Sequence, residues 1–268
     1  MNYNKDIFKG KTAVITGAST GIGFGLSKRL LEHGAHVWLS SLTPANVKAA
    51  QDKLAEFEDR AHFDVIDVSD ADQVTNYINA IAGKGRIDYL FNNAGIGWGA
   101  PIRTANLETW RRIIDTNLWG VINGVDAVLP IMSRQGSGHI VNTASILGLI
   151  PGVYQSIYSA TKYAVVGLSE ALRYELAPDG IQVSAVCPGA VATNIFPEGA
   201  TPSHAISPEV AATIILHGVA QHKGIIPVGE DAEKLWSGFR SSPEDFEKFI
   251  QDLTLEYKRH FSENVIIE

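Results

Sequence analysis

A short apolar run, Thr12 to Thr16, leads straight into Gly17-Ala18-Ser19-Thr20-Gly21-Ile22-Gly23, and an apolar helical pattern follows as far as Leu31. Strand, glycine turn and helix in that order open an α/β unit. Glycines reach positive φ and let another group approach the backbone closely. The start of the helix adds unpaired amide donors and the positive end of its dipole, which together suit a pyrophosphate. The spacing Gly-x-x-x-Gly-x-Gly differs from the more familiar Gly-x-Gly-x-x-Gly. Taken alone it is a tight βα turn; set between a strand and a helix it predicts nucleotide binding.

The rest of the chain repeats the alternation. His36 to Ser41 reads as a second strand, after Gly34 ends the first helix, and Thr43-Pro44 opens a helix with a cap residue and a first-turn proline. A third strand, Ala61 to Ile66, runs into Asp67-Val68, with Ser69 as the cap of the next helix. A fourth, Ile87 to Phe91, ends in Asn92-Asn93-Ala94-Gly95. A long helical pattern from about Asn106 to Arg134 carries Asn117 within an apolar stretch, where it is either bonded in the core or functional. The fifth strand, His139 to Thr143, delivers Ser145. A helix then runs to about Leu176, Pro178-Asp179-Gly180 turns the chain, and a sixth strand, Gln182 to Cys187, ends at Pro188-Gly189. Ser207-Pro208 caps another helix, and Gly224 to Val228 forms a seventh strand. Regular alternation predicts an α/β fold. The expected form is a Rossmann-type, doubly wound parallel sheet of about seven strands with helices on both faces. It should fill a single domain, residues 1–268, of which 229–268 are a C-terminal helical extension. In that extension Ser242-Pro243 starts a helix with Phe246, Phe249, Ile250, Leu253 and Tyr257 on one face. That face can pack on its own domain or on a partner subunit, or act as a lid.

Within this frame Tyr158 and Lys162 are four apart on a helix, so they share a face. A phenol titrates near 10, and a neighbouring ammonium favours the phenolate. Ser145, upstream, could hold a substrate oxygen, and the three would form a general acid/base site for an alcohol or carbonyl. Tyr-x-x-x-Lys alone also arises by chance. Here the candidate residues gather at or beyond the carboxyl ends of strands or on adjoining helices, where open α/β sheets bind ligands.

Composition excludes other classes. Net charge is −7 and the basic residues are scattered, so nucleic-acid binding has no electrostatic basis. The single cysteine, Cys187, lies in an apolar run and reads as a buried strand residue; the histidines show no ligand spacing, so no metal is expected. No apolar run reaches the ~20 residues of a membrane span, and Met1 to Lys9 lack an apolar signal segment, which predicts a cytoplasmic protein.

The ordered set Thr16-Gly17-x-x-x-Gly21-Ile22-Gly23, Asp67-Val68, Asn92-Asn93-Ala94-Gly95, Asn117, Ser145, Tyr158-x-x-x-Lys162 and Pro188-Gly189-x-Val191-x-Thr193 resembles the short-chain dehydrogenase/reductase family over residues 8–229. Thirteen residues separate Ser145 from Tyr158, a spacing familiar in that family. The resemblance implies a nicotinamide-dependent oxidoreductase acting on an alcohol/carbonyl pair. Tyr158 would be the acid/base. Lys162 would lower its pKa and bind the nicotinamide ribose, Ser145 would polarise the substrate oxygen, and Asn117 would hold a water leading from Lys162 to solvent. Gly17, Ser19, Thr20, Gly21, Ile22 and Gly23 would cradle the cofactor. Asp67 and Val68 would flank the adenine, with Asn93, Ala94 and Gly95 along the adenosine side. Pro188, Gly189, Val191 and Thr193 would cover the nicotinamide. A homo-oligomer, tetramer or dimer, is implied in the same way.

The second strand ends Leu39-Ser40-Ser41-Leu42, with neither the acidic residue that suits NAD nor an arginine for NADP. No carboxylate repels a 2′-phosphate, and Ser40, Ser41 and Thr43 could donate to one, which favours NADP over NAD. Trp98, Ile150, Tyr154 and Phe196 are candidates to line an apolar pocket for a secondary alcohol or ketone, cyclic or steroid-like. A nucleotide-sensing protein without turnover is the alternative from another class; an epimerase or dehydratase with bound NAD is a third.

Overall fold

The computed structural model describes residues 4–197 and 199–264, with side chains as far as residue 259. Its strands are β1 (Thr12–Thr16), β2 (His36–Ser41), β3 (Ala61–Val65), β4 (Tyr89–Asn92), β5 (Gly138–Thr143), β6 (Ile181–Pro188) and β7 (Ile225–Val228). All pair in parallel, in the order β3-β2-β1-β4-β5-β6-β7. A parallel sheet covered on both faces needs strands that are apolar on both sides. β1 meets this: Ala13, Val14 and Ile15 are all fully buried.

The helices are α1 (Gly21–Glu32), α2 (Pro44–Lys53), α3 (Ala71–Ala82), α4 (Leu107–Ile114), α5 (Gly120–Gln135), α6 (Ser156–Glu175), α7 (Pro208–Ala220), α8 (Glu230–Ser241) and α9 (Pro243–Asn264). α1 and α7 pack on one face of the sheet around Ile15, Leu30, Val186 and Ile215. α3, α5 and α6 cover the other around Val14, Ile78, Val128 and Val165. A smaller cluster unites α8 and α9 with the turn after β5, through Ile146, Ile150, Ala232 and Phe246.

The strand-and-helix frame expected from the sequence is present, with local corrections. β3 stops at Val65 and β4 starts at Tyr89, each shorter than its apolar run. Asp70, not Ser69, caps α3 by accepting from the Gln73 amide at 3.0 Å. The reason is local: Asp67 Oδ1 already takes both the amide and the hydroxyl of Ser69, at 2.9 and 2.7 Å. The long helical pattern is interrupted. A π-helical turn, Asp115–Trp119, separates α4 from α5 and carries the fully buried Asn117. Such turns widen the helix and often mark functional positions.

Within the C-terminal extension α8 has no counterpart in the sequence reading. Ala232 is its one fully buried residue, while Leu235, Trp236 and Phe239 pack partly buried on the same cluster. α9 begins at Pro243 as expected; Phe246 is buried, whereas Phe249 and Tyr257, assigned to the same face, are substantially exposed.

Candidate functional site

β1 and β4 are neighbours although the chain visits β2 and β3 between them, so the strand order reverses there and leaves a crevice at their carboxyl ends. Thr16 and Asn93 knit its floor. The Thr16 hydroxyl accepts from the amides of Asn93 and Ala94 at 3.0 and 3.1 Å, and Asn93 Nδ2 donates to the carbonyls of Thr16 and Gly17. Gly17 has φ +62°, and a Cβ on it would stand 2.7 Å from Ala94 Cα. Only glycine fits, and the turn is held open as a backbone-lined cradle. Thr20, the exposed N-cap of α1, makes no side-chain capping bond, so the first-turn amides face the crevice without a protein acceptor from the cap. That is the local chemistry of an anion site.

The end of β2 borders this cradle. Ser41 Oγ bonds Ser19 Oγ at 2.8 Å, linking strand end to glycine turn. Ser40 does not join them. Side chains alternate along a strand, and Ser40 is buried at 1 % exposure, so it cannot donate to a cofactor phosphate. Thr43 uses its hydroxyl to accept from the Asn46 amide, capping α2. Val68 is buried against Gly120, and Asp67 spends a carboxylate oxygen on Ser69.

Ser145, Tyr158 and Lys162 are brought together at the end of β5. All three are buried. Ser145 caps a short 3-10 turn by accepting from the Leu147 amide at 3.2 Å, which leaves its O–H to donate. Burial pushes the Tyr158 phenol up to about 12, with the Ser145 hydroxyl acting in the opposite direction. Burial also lowers Lys162 to about 8. Burial of the phenol outweighs any lowering by Lys162. Its Nζ donates to the Thr143 carbonyl at 2.9 Å and lies 5.5 Å from the centre of the tyrosine ring, so desolvation dominates both groups. Cys187 lies close by, and burial holds its thiol neutral, raised to about 12.

Asn117 sits one layer behind. Its Oδ1 accepts from the Ile96 amide at 2.8 Å and its Nδ2 donates to the Ile96 carbonyl at 2.9 Å. The side chain thus braces the segment that leaves β4 past Gly95, and its Nδ2 also reaches Thr161 Oγ1 at 3.4 Å. Gly95 lies between Asn117 and Lys162: a Cβ there would be 3.3 Å from Asn117 Oδ1 and 3.6 Å from Lys162 Nζ.

The segment after β6 folds back over the glycine turn. Val191 bridges to Ile206, and a Cβ on Gly21 would stand 2.9 Å from Thr193 Cγ2. Phe196 and Trp98 are half-buried beyond it. Tyr154 adopts φ +58°, uncommon for a bulky residue, and its ring faces that of Tyr257 on α9, with centroids 5.9 Å apart. Ile150 is packed into the cluster under α8 and α9. The sequence reading placed Tyr257 in an amphipathic helix but offered nothing to bring it to Tyr154. Among the described residues no His, Cys, Asp or Glu cluster could hold a metal, and no helix is long and apolar enough to cross a membrane.

The fold and crevice define a nucleotide-binding type of α/β protein, and comparison with known proteins makes the class specific. The short chain dehydrogenase family profile matches residues 11–202. The chain is 38% identical over 192 residues to 3beta-hydroxysteroid dehydrogenase 2 of Eggerthella lenta, covering 70% of this chain and 74% of that one. A short chain dehydrogenase/reductase from Burkholderia phymatum in complex with NAD superposes with a TM-score of 0.81 at 29% identity, covering 90% of this chain and 95% of that one. One from Burkholderia cenocepacia in complex with NADP gives 0.80 at 26%, covering 90% and 97%. This protein belongs to the short-chain dehydrogenase/reductase family.

Proposed function

We propose that the protein is a nicotinamide-dependent oxidoreductase that interconverts a secondary alcohol and a ketone. The observation that carries this reading is the convergence of Ser145, Tyr158 and Lys162 on the corner beside the glycine cradle. The cradle fits a dinucleotide: Gly17 and Gly21 leave no room for side chains, and the start of α1 offers amides to a pyrophosphate. Gly17, Ser19, Thr20, Gly21, Ile22 and Gly23 would hold that part, with Asp67, Val68, Asn93, Ala94 and Gly95 along the nucleoside and Pro188, Gly189, Val191 and Thr193 over the nicotinamide end. When bound, the nicotinamide supplies or accepts the hydride.

The chain's own residues manage the proton. With a pKa near 12, the Tyr158 phenol is protonated at neutral pH, which makes it the donor to a carbonyl oxygen. Ser145 orients that oxygen by donating its O–H. The buried Lys162 ammonium stabilises the phenolate left behind, and Asn117 keeps the Gly95–Ile96 segment against Lys162.

NADP(H) is the favoured nucleotide. Ser41 ends β2 beside Ser19 with no carboxylate in place, and Thr43 follows it. Both nucleotides occur in structurally similar family members, so the serine pair, not the family, supports this choice. The substrate proposed is a hydrophobic secondary alcohol or ketone, cyclic or steroid-like, met by Trp98, Tyr154, Phe196 and Tyr257. The hydroxysteroid dehydrogenase relative is in keeping with it. We further propose a cytoplasmic homo-oligomer, dimer or tetramer, for which Leu107 (71 % exposed) and Trp119 (51 %) provide apolar surface.

The test is Tyr158→Phe with a panel of ketones and parallel titrations of NADPH and NADH. Turnover should fall by about 10²–10⁴-fold, the usual worth of a general acid, with nucleotide binding retained. Binding without turnover in the unaltered protein would instead identify a nucleotide sensor.

A further inference from the structure

The segment that folds over the glycine turn is held from behind by one side chain of the C-terminal extension. Asp231, in the first turn of α8, accepts the Ala190 amide on Oδ2 at 2.7 Å. Gly189 and Gly229 both press their backbones against the carboxylate, and a Cβ on Gly189 would collide with both of its oxygens. His204 Nε2 comes within 3.8 Å of the same Oδ2 from the far end of the segment. The other acidic residues of that turn are placed differently: Glu230 pairs with Lys234, and neither Glu230 nor Glu233 is bonded to the segment.

The backbone around this contact has its own partners. The Gly189 amide donates to the Val228 carbonyl, the Ile206 amide to the Ala190 carbonyl, and the Ala192 amide to the Ile206 carbonyl. Ala190 N–H depends instead on the Asp231 side chain. The next residue, Val191, is buried, and Thr193 lies against Gly21. On the other side of Asp231, Ala232 is completely buried with Ile146 and Ile150, in the turn that follows Ser145.

We infer that Asp231 is a positioning residue that ties the Pro188–Thr193 segment to α8, and thereby holds the cover of the nucleotide crevice in register with the turn after Ser145. The inference rests on the nucleotide-binding reading above for its functional consequence, but the tether itself does not. A charge-assisted bond to a backbone amide is roughly twice as strong as a neutral one. Its loss leaves a buried donor unpaired, which favours local opening of the segment over global unfolding.

Asp231→Ala and Asp231→Asn decide the matter. In the nucleotide-free protein, hydrogen exchange of peptides covering residues 188–197 should quicken by about tenfold in Asp231→Ala, with β5 and α6 unchanged. The dissociation constant for NADPH or NADH should rise by about tenfold, with KM for the nucleotide rising more than kcat falls. Asp231→Asn keeps an acceptor oxygen and should restore both, although it removes the negative charge from the α8 N-terminus. If Asp231→Ala does not fold, Gly189→Ala displaces the carboxylate from the other side and should produce the same exchange pattern. Unchanged exchange in the segment overturns the inference, and so does faster exchange with full nucleotide affinity. If the unaltered protein binds neither nucleotide, the reading of the crevice fails, while the exchange measurement still decides the tether.

Discussion

Lys162 Nζ donates to the Thr143 carbonyl at 2.9 Å while standing 5.5 Å from the centroid of the Tyr158 ring. The lysine is thus anchored to the end of β5 and sets a positive charge beside the tyrosine from a fixed point. Both side chains are buried, at 3 % and 8 % exposure, so each titrates away from its usual range in the direction that disfavours charge.

A buried ammonium with a pKa near 8 destabilises the fold at neutral pH, and the cost is relieved once it deprotonates. The unfolded lysine holds its proton to about 10.5, so stability recovers as pH rises from 8 toward that value. Lys162→Met removes the effect. The stability of the variant relative to the unaltered protein should fall by about 2 kcal/mol between pH 7 and 9.5. Denaturant melts at the two pH values measure it, and a constant difference would show that Lys162 is not desolvated as described.

His139 lies at the opposite, amino-terminal end of β5. Its Nε2 is 2.8 Å from Ser184 Oγ, and that hydroxyl donates onward to the Lys223 carbonyl at 2.6 Å, so Nε2 carries the proton. Burial lowers the ring to about 3, with His222 adding to the shift. Below about 6.5 the unfolded histidine takes up a proton that the folded one refuses. Stability is therefore lost as pH falls from 6.5 toward 3. His139→Gln should abolish about 2 kcal/mol of the loss between pH 7 and 5, read from chemical denaturation at each pH.

Ser41→Asp sets a carboxylate at the end of β2 next to Ser19. Like charges disfavour a 2′-phosphate there, and an acidic residue suits the 2′-hydroxyl of NAD. The ratio of NADPH to NADH affinity should drop by at least about tenfold, equivalent to about 1.4 kcal/mol. Fluorescence titration of both nucleotides measures it; an unchanged ratio would remove Ser41 from the specificity determinants.

Asn117→Leu strips the Ile96 amide and carbonyl of their partners in a buried place. Each orphaned group costs about 1–3 kcal/mol, so the melting temperature should fall well below that of the unaltered protein. Equal melting of the two would show that the brace is dispensable.

Much of this was legible along the chain. The β1–α1 turn, the parallel alternation and the identities of Ser145, Tyr158 and Lys162 follow from short-range patterns: apolar runs, glycine spacing and helical periodicity. Cap residues were readable where one side chain serves one helix, as at Thr43 and Ser207. Ser69 was misread as a cap because Asp67 competes for it two residues away. The π turn at Asn117 left no trace, since one widened turn barely disturbs the apolar periodicity of the helices on either side.

Chemistry and covalent reach were settled by the sequence itself: which residues can donate, accept or titrate, and which lie on one helix face or at one strand end. The tertiary structure alone decided how they are paired. Whether Lys162 points at a hydroxyl or at a carbonyl, whether Ser40 faces the crevice or the core, and that Asp231, 41 positions downstream of Ala190, closes on its amide, depend on contacts between elements distant in sequence. Burial acts through those same contacts. Local pattern cannot specify how much water the fold removes from a phenol, an ammonium or an imidazole, and that removal sets the charge each one carries.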